Sequence, residues 1–307
     1  MRALMARDGA VRIVDVREPD PGQGQVRIRV EAAAVNPVDL ATAAGVLADN
    51  GLMPHQETYA LGWDVAGVVD RAGPGVTGLR PGERVIGLSD RLTDPLKAQA
   101  DLVVLDETAV APAPVGVAAP EASTLPLNAL TAVQALDLAG LAEGETLLVT
   151  GAAGGVGGYL VELAVARGLR VAAVAAPGDE TVVRGFGAEW FVPRGADLAA
   201  AVRAAVPGGV HGLVDAALVG LPALDAVRNG GAFVAVNAGL APVPLRGIRV
   251  STVFIRADAA QLRDVAKLAE AGRLSLRVAG TYPLERAAEA YERLRKGGLR
   301  GRLVLLP

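Results

Sequence analysis

A glycine-rich turn, Gly151-Ala-Ala-Gly-Gly-Val-Gly157, carries the clearest chemistry in this chain. An apolar run, 145–150, enters the turn and a periodic helical segment, 159–167, leaves it, which is the context of a turn that binds the pyrophosphate of a dinucleotide. Glycines let the backbone approach the phosphates and let the helix pack on its strand, while the helix N-terminus attracts negative charge. A helix start without a ligand would not need these glycines, because each one costs backbone entropy. The predicted dinucleotide contacts are Gly154, Gly155, Val156 and Gly157.

The end of the following strand predicts that the cofactor is NADPH. An NAD site usually places Asp or Glu about 20 residues beyond the glycine turn, where the carboxylate binds the ribose hydroxyl. Here the strand 170–175 runs into Ala176-Pro-Gly, so the carboxylate that would repel a 2′-phosphate is missing. Arg194, after the third strand, is the candidate phosphate partner, and a solvated surface arginine is the alternative. Asp179 and Glu180 are close enough in sequence to weaken the prediction unless they face solvent.

Composition limits the class of protein. A length of 307 residues favours two packed units. The chain is 51% hydrophobic, yet no apolar run approaches the roughly 20 residues of a membrane helix. The net charge is −3 and both signs are spread along the chain, so the sequence shows no basic patch of the kind that binds nucleic acid. The absence of cysteine excludes disulfides and thiolate metal sites, and is compatible with a cytoplasmic location.

Two patterns of secondary structure must position these residues. Residues 1 to about 120 are β-rich, with short strands at 11–16, 25–31 and 65–70 separated by Pro and Gly turns and a loop at 89–100. Helices and strands then alternate, with strands at 146–149, 170–175, 189–192, 211–217, 232–236 and 249–255 and helices at 131–139 and 196–206. Helices at 259–271 and 285–295 and a strand at 302–306 end the chain. Continuous apolar strands with helices between them indicate an α/β fold with a doubly wound parallel sheet.

Several separated motifs resemble those of one enzyme family. They are Val35-Asn-Pro-Val-Asp39, Leu61-Gly-Trp-Asp-Val-Ala-Gly-Val-Val69, Leu79-Arg-Pro-Gly-Glu-Arg-Val-Ile-Gly87, residues 125–136, the glycine turn, residues 283–290 and Arg300-Gly-Arg-Leu-Val304. In this order they resemble the medium-chain dehydrogenase/reductase superfamily, and within it the zinc-independent quinone oxidoreductase and enoyl reductase branch. The resemblance implies a GroES-like β-rich catalytic domain over 1–121, a Rossmann NAD(P)-binding domain over 122–256 and a return to the catalytic domain over 257–307.

Residue types at the family's metal positions favour a metal-free protein. Zinc members of the superfamily have Cys at the position of Asn36 and a His-Glu pair at Trp63-Asp64. Catalytic zinc needs three protein ligands drawn from Cys, His and carboxylate, and only two histidines, His55 and His211, are present. Without a Lewis acid, hydride delivery is expected to need an acceptor already activated by conjugation, such as a quinone or an α,β-unsaturated carbonyl (enone).

The resemblance also places residues around the nicotinamide. It implies that Asn36, predicted to be catalytic, and Thr131 lie near the nicotinamide. It also implies that the backbone at Ala238-Gly239 and Phe254-Ile255 passes the nicotinamide, and that Arg302 is a basic residue near the cofactor. Alternatives remain open: Asn36 holds an Asn-Pro turn, Thr131 caps its helix, and Arg302 is a solvated arginine.

The proton donor and the type of activity are less constrained. Members of this branch often carry tyrosines after the Asn-x-x-Asp motif, but residues 40–47 contain none. His55 and Tyr59, in a stretch expected to be a loop, are the nearest candidates, and Tyr59 is predicted to be catalytic with solvent as the alternative donor. Two other functions stay open: a nicotinamide-binding protein without redox turnover, and a non-redox tailoring enzyme that uses the same site. The number of subunits is open, and a homodimer is one candidate.

Overall fold

The computed structural model describes residues 1–195 and 197–307, and the chain divides into two compact units. Unit 1 comprises Met1–Leu130, Arg256–Gly272 and Leu276–Pro307, and unit 2 comprises Thr131–Ile255 and Arg273–Ser275. The domain bounds expected from the sequence, 1–121, 122–256 and 257–307, stay a prediction, because compactness does not show that a segment folds as a domain.

The elements below are numbered in chain order. The strands are β1 (Arg2–Arg7), β2 (Ala10–Asp15), β3 (Gln25–Val35), β4 (Tyr59–Ala60), β5 (Asp64–Ala72), β6 (Arg84–Leu88), β7 (Leu102–Asp106), β8 (Val110–Pro112), β9 (Thr146–Thr150), β10 (Arg170–Ala175), β11 (Trp190–Pro193), β12 (Val210–Asp215), β13 (Val227–Ala235), β14 (Arg249–Thr252), β15 (Val278–Pro283) and β16 (Arg302–Leu306). The helices are α1 (Pro37–Ala43), α2 (Val46–Asp49), α3 (Ala119–Ala122), α4 (Pro126–Ala139), α5 (Gly155–Ala166), α6 (Glu180–Gly185), α7 (Leu198–Ala205), α8 (Leu221–Leu224), α9 (Ala259–Glu270) and α10 (Ala287–Arg295).

Unit 1 is built on β-sheets whose strands are mostly antiparallel. The larger sheet has the order β15-β16-β3-β5-β6-β8, with β7 also paired to β3, and a smaller sheet has the order β2-β1-β4. Two apolar clusters lie in this unit: one includes Ile28, Val65 and Val85, and the other includes Leu61 and Tyr291. The β-rich character predicted for the first 120 residues is therefore confirmed.

Unit 2 contains a parallel sheet of order β11-β10-β9-β12-β13-β14. Its central strand β9 is buried along its whole length, and Leu148, Leu213 and Phe233 pack in a fully buried cluster. Strands covered on both faces have to be apolar throughout, which is why they read as continuous apolar runs. The predicted doubly wound α/β sheet is confirmed, and the strand order reverses direction between β9 and β12.

Several element bounds differ from the sequence-based expectation. Helix α4 begins at Pro126 instead of residue 131, because a proline at the first helical position has its φ already set for a helix. Helix α5 begins at Gly155, four residues early, since packing against the sheet overrides the low helix propensity of its glycines. The expected helix 196–206 is observed as α7, and its first residue lies outside the described residues. In the described part of the chain, no helix is both long and apolar enough to cross a membrane.

Candidate functional site

The carboxyl edge of the parallel sheet gathers most of the predicted cofactor residues. Strands that run in one direction end at one edge, and in open α/β sheets ligands bind in the crevice outside these ends, where the strand order reverses. The residues that follow the strands at this edge are Gly154–Gly157 after β9, Ala176 after β10, Arg194 after β11, Ala238 and Gly239 after β13, and Phe254 and Ile255 after β14. Residues far apart in sequence thus share one edge in unit 2.

The glycine turn approaches other backbone closely. Gly151 has a φ of 63°, in the left-handed region that favours glycine, whereas Gly154 has a φ of −76° and precedes the first residue of α5. A Cβ at Gly157 would lie 2.1 Å from the Gly151 carbonyl oxygen, so this position admits no side chain. A Cβ at Gly154 would lie 3.0 Å from the same oxygen, which is tight but not prohibitive. This cradle at a helix N-terminus fits the pyrophosphate of a dinucleotide.

Backbone pairing between neighbouring loops places Arg194 beside the end of β10. The Arg194 N–H donates to the Ala175 carbonyl oxygen at 2.8 Å, so the exposed Arg194 follows β11 directly beside the end of β10. Ala176 comes next and carries no carboxylate. Arg184, a second nearby arginine, donates from Nε to Glu180 Oε1 at 2.8 Å. Arg194 and Ala176 therefore suit a phosphorylated ribose, while Arg184 is held by its ion pair.

A buried carboxylate organises the loop after β12 at the same edge. Asp215 accepts from the Thr150 hydroxyl at 2.5 Å through Oδ1, and from the Val219 and Gly220 N–H groups at 3.1 and 2.7 Å. Thr150 in turn accepts from the Ala217 N–H at 3.0 Å. The loop is thus tied to the end of β9, immediately before the glycine turn.

The remaining predicted residues of unit 2 differ in exposure. The Phe254 side chain is 68% exposed, and Ala238 and Gly239 are also exposed, with the Gly239 N–H donating to Asn237 Oδ1 at 2.9 Å. Thr131 is buried and is the sixth residue of α4. The alternative that Thr131 caps its helix is therefore wrong, because the helix begins at Pro126.

Unit 1 contains a chain of polar side chains, which we name the amide relay: the half-buried Arg302 and the buried Asn128, Asn36 and Asp64. Arg302 donates to Asn128 Oδ1 through Nε at 3.0 Å and through Nη2. Asn128 Nδ2 donates to Asn36 Oδ1 at 3.1 Å, and Asn36 Nδ2 donates to Asp64 Oδ2 at 2.6 Å. The Leu127 N–H donates to Asp64 Oδ1 at 2.5 Å, at the start of α4. The structure therefore brings the predicted Asn36 and Arg302 together, through Asn128.

Two carboxylates in this region are completely buried. Burial raises the pKa of Asp64 to about 7, against the lowering effect of its donors Leu127 and Asn36. Burial also raises the pKa of Asp39 to about 6, against the donated N–H groups of Asn36 and Gly62 at 2.8 and 3.0 Å. Desolvation disfavours the charged form of each carboxyl, and the hydrogen bonds compensate only in part.

A buried lysine, Lys97, interacts with the charge of one of these carboxylates, Asp39. Lys97 Nζ donates to the carbonyl oxygens of Ser89 and Arg91 at 2.6 and 3.0 Å and lies 4.7 Å from the centre of the Trp63 ring. Burial lowers the pKa of Lys97 to about 8, opposed by the charge of Asp39. Through these contacts, Lys97 holds the loop predicted at 89–100 against Trp63, the neighbour of Asp64 in the sequence.

The residues at the family's zinc positions do not fit a catalytic zinc. Both ends of the Asn36 amide are engaged in the relay, and Trp63 offers a ring that faces an ammonium group. Of the histidines, His55 lies with Nε2 3.7 Å from Asp49 Oδ1, and His211 Nδ1 accepts from the Thr146 N–H at 3.1 Å. Among residues 1–195 and 197–307, no group of three or more His, Cys, Asp or Glu is placed to hold a metal ion. The predicted metal independence stays a prediction.

Tyr59 lies in a packed environment. It belongs to the short strand β4, where a loop was expected, and packs in the apolar cluster that contains Leu61 and Tyr291. Its hydroxyl accepts from the Gln56 N–H at 3.3 Å. The structure assigns Tyr59 a packing contact, and its catalytic role stays a prediction.

Sequence reasoning missed the polar residues that complete these networks. Asn128, Asp39, Asp64 and Asp215 are all buried, and each lies among apolar neighbours in the sequence. A polar residue inside an apolar segment needs buried partners, and that signal was available. The identity of the partners was not, because they come from distant parts of the chain.

Two family models match the chain. The alcohol dehydrogenase GroES-like domain matches residues 22–115, and the zinc-binding dehydrogenase model matches residues 186–305. The second match does not include Asn36 or Trp63-Asp64. The GroES-like part of the fold predicted from the sequence is confirmed by the first.

Curated relatives and solved structures are similar over most of the chain. It is 34% identical, over 80% of its length, to the spectinabilin polyketide synthase system protein NorB of Streptomyces orinoci, but spans only 10% of that protein. It is 28% identical to the 2-methylene-furan-3-one reductase of Solanum lycopersicum, covering 95% of this chain and 74% of that one. Among structures, the quinone oxidoreductase from Coxiella burnetii has a TM-score of 0.87 and 25% identity, covering 100% of this chain and 99% of that one. A mycobacterial protein complexed with NADPH has a TM-score of 0.83 and 26% identity, covering both chains completely.

Replacing Gly154 is expected to remove dinucleotide binding without unfolding the protein. The branched side chain of Gly154→Val would fill the space beside the turn, and the φ of −76° is one that valine accepts. Fluorescence titration with NADPH should show saturable binding for the parent and none for the variant at the same concentrations. Thermal melting is the control, with Gly157→Ala expected to melt earlier because its Cβ meets backbone. Equal NADPH affinity in folded Gly154→Val would contradict the assignment of this turn.

Asp64→Asn is expected to change how stability depends on pH. The folded protein holds a proton on Asp64 up to about pH 7, whereas the unfolded chain releases it near pH 3.8, so wild-type stability falls as pH rises through this window. The variant lacks this titration. As pH increases, its free energy of unfolding should therefore rise relative to that of wild type by up to about 1.4 kcal/mol per pH unit. Thermal midpoints of both proteins across that window test this, and parallel pH profiles would refute the raised pKa.

Proposed function

Because the chain belongs to the quinone oxidoreductase-like branch of the medium-chain dehydrogenase/reductase superfamily, we propose that it is an NADPH-dependent reductase that needs no zinc. Its acceptor is a quinone or an α,β-unsaturated carbonyl compound. The observation that carries the proposal is the carboxyl edge of the parallel sheet, where a glycine cradle, Ala176 and Arg194 follow successive strands.

The residues at this edge would each hold one part of the cofactor. Gly154–Gly157 would bind the pyrophosphate, Ala176 and Arg194 would accommodate the phosphorylated ribose, and the backbone at Ala238-Gly239 would lie along the nicotinamide. When bound, NADPH supplies the hydride for the reduction. The bonds of Asp215 to the loop after β12 keep this edge ordered before the cofactor arrives, which lowers the entropic cost of binding.

Residue types support NADPH as the cofactor. A carboxylate beyond β10 would repel a 2′-phosphate, and the chain has Ala176 there. The Arg194 N–H donates to the Ala175 carbonyl oxygen, so the Arg194 side chain begins beside the proposed position of the ribose that carries the 2′-phosphate. The mycobacterial structure solved with NADPH adds support from a protein similar over the whole chain.

The acceptor class follows from what the chain's own residues can supply. Asn36 and Trp63 do not form a zinc site, so this position offers no Lewis acid to polarise an isolated ketone. An acceptor activated by conjugation does not need that polarisation. The exposed ring of Phe254 offers an apolar surface for a flat acceptor beside the predicted nicotinamide position. The tomato relative is named for the reduction of an enone, which agrees with this chemistry.

Mixing the protein with NADPH and an acceptor is expected to oxidise NADPH. A panel of quinones, open-chain enones and the matching saturated ketones, followed by near-ultraviolet absorbance, should show turnover with the conjugated members only. A strong chelator should leave the rates unchanged. NADPH binding without oxidation by any acceptor would point to a nicotinamide-binding protein without redox turnover, and loss of activity with the chelator would contradict zinc independence.

Arg194→Ala is expected to weaken NADPH binding by about tenfold to a hundredfold, since a hydrogen bond to a charged group is worth about 1.5–3 kcal/mol. NADH, which lacks the 2′-phosphate, should bind both proteins alike. Arg184→Ala is the matched control, because this nearby arginine is paired with Glu180 and should leave both affinities unchanged. If the wild-type protein binds NADH as tightly as NADPH, the proposed cofactor preference is wrong.

A further inference from the structure

Glycine fills nearly all left-handed backbone positions of this chain. Among residues 1–195 and 197–307, the exceptions are Asp8, Leu218 and Arg246, with φ values of 50°, 59° and 54°. At positive φ, the Cβ of an L-residue lies too close to neighbouring backbone, which costs energy that glycine avoids. Each exception therefore needs a reason in its surroundings.

Asp8 and Arg246 have such a reason. Asp8 lies in the hairpin between β1 and β2, and aspartate is one of the residue types that adopt this conformation in turns. Arg246 Nη2 donates to the Leu224 and Val227 carbonyl oxygens at 2.8 and 3.3 Å, so side-chain bonds hold it. The side chain of Leu218 forms no hydrogen bond, and the residue is 43% exposed. Neither hydrogen bonding nor full burial of its side chain offsets the strain at Leu218.

The conformation of Leu218 is imposed by backbone bonds on both sides of it. Before it, the Ala217 N–H donates to the Thr150 hydroxyl oxygen at 3.0 Å. After it, the N–H groups of the next two residues donate to the Asp215 carboxylate at 3.1 and 2.7 Å. Thr150 and Asp215 are both buried and are bonded to each other. The loop after β12 therefore has one fixed path, and on that path a leucine is left partly exposed.

This loop lies against both of its neighbours at the carboxyl edge of the parallel sheet. A Cβ at Gly151 would lie 3.2 Å from the Ala217 Cβ, so the loop is packed against the glycine turn. A Cβ at Gly220 would lie 3.1 Å from the Leu240 carbonyl oxygen, so the loop is also packed against the connection after β13, where Leu240 is exposed. Leu218 thus lies between the glycine turn and the loop after β13.

The order of the strands indicates which part of a dinucleotide would reach Leu218, and this step rests on the proposed function. In that proposal, the phosphorylated ribose lies after β10 and β11, and the pyrophosphate lies after β9. A dinucleotide that continues in the same direction has to place its other half over the ends of β12 and β13. That half is the nicotinamide with its ribose, and a flat ring is a suitable partner for an apolar side chain.

We propose that Leu218 is a binding residue for the nicotinamide half of NADPH. The bonds to Thr150 and Asp215 hold its unfavourable backbone conformation, and the exposed part of its side chain contacts that half of the cofactor. Glycine at this position would follow the same path without strain and would offer no contact. Because the loop is already fixed, little conformational entropy is lost when the cofactor binds.

Two ligands test the proposal: NADPH, and adenosine 2′,5′-bisphosphate, which has the phosphorylated ribose and lacks the nicotinamide half. In calorimetric titrations, Leu218→Gly should bind NADPH about fivefold to tenfold more weakly than wild type, the scale expected for burying the exposed part of a leucine side chain. Its affinity for adenosine 2′,5′-bisphosphate should be unchanged. Arg194→Ala should weaken the binding of both ligands, because both carry the 2′-phosphate.

Three further variants keep the test decisive. Leu218→Asn accepts the left-handed backbone, is polar, and should lose NADPH affinity as Leu218→Gly does. Leu218→Met keeps an apolar side chain of similar volume and should bind NADPH as wild type does. Leu138→Ala is the matched control, because it removes an exposed leucine of unit 2 at the opposite edge of the sheet, where the neighbouring Ala139 accepts from Arg249 at the start of β14. Both affinities of this control should equal those of wild type.

The possible results distinguish a failure of this proposal from a failure of the proposed function. A wild-type protein that does not bind NADPH contradicts the proposed function. Equal NADPH affinity of wild type and Leu218→Gly, or an equal loss for both ligands, overturns the role of Leu218 and leaves the proposed function standing. The thermal midpoint of Leu218→Gly should stay close to that of wild type, since relief of strain offsets the lost burial. An earlier midpoint with unchanged NADPH affinity would assign Leu218 to packing and would also overturn its role in binding.

Discussion

The hydrogen bond from the Asn36 amide to the buried Asp64 carboxylate constrains much of unit 1. A carboxylate with no exposure has to be supplied with donors, and Asp64 receives one from Asn36 at 2.6 Å and one from the Leu127 N–H at 2.5 Å. The Leu127 bond fixes the start of α4, and the Asn36 bond orients the amides that lead to Arg302. Asn36 stands where zinc members of the family have a ligand. Because Asn36 and Trp63 do not fit a catalytic zinc, they support the proposed acceptors that are activated by conjugation.

Unit 2 follows a different constraint, which is the common direction of its strands. Each strand of the parallel sheet ends at the same edge, so residues that follow β9, β10, β11, β13 and β14 are gathered without any direct contact between their sequence segments. Asp215 and Thr150 use side-chain bonds to order this edge. This edge of unit 2 is where we propose that the cofactor binds.

The sequence predicted what depends on local pattern and missed what depends on distant contacts. Continuous apolar runs identified the parallel strands, and the glycine turn identified the junction between β9 and α5, because both signals lie within a few residues. The start of α5 was missed, since its glycines disfavour a helix until the sheet packs against them. The relay was missed because Asn36, Asp64, Asn128 and Arg302 meet only after β3, β5, α4 and β16 have assembled, and no periodic pattern encodes that meeting.

We propose that NADPH delivers hydride to the β-carbon of an acceptor such as an enone, without polarisation of its carbonyl by a metal. The most direct measurement uses NADPH deuterated at both C4 positions of the nicotinamide, an enone with a β-hydrogen, and mass spectrometry and NMR of the product. We expect a saturated ketone that carries one deuterium at the β-carbon. Deuterium at the carbonyl carbon of an allylic alcohol, or a product without deuterium, would contradict it.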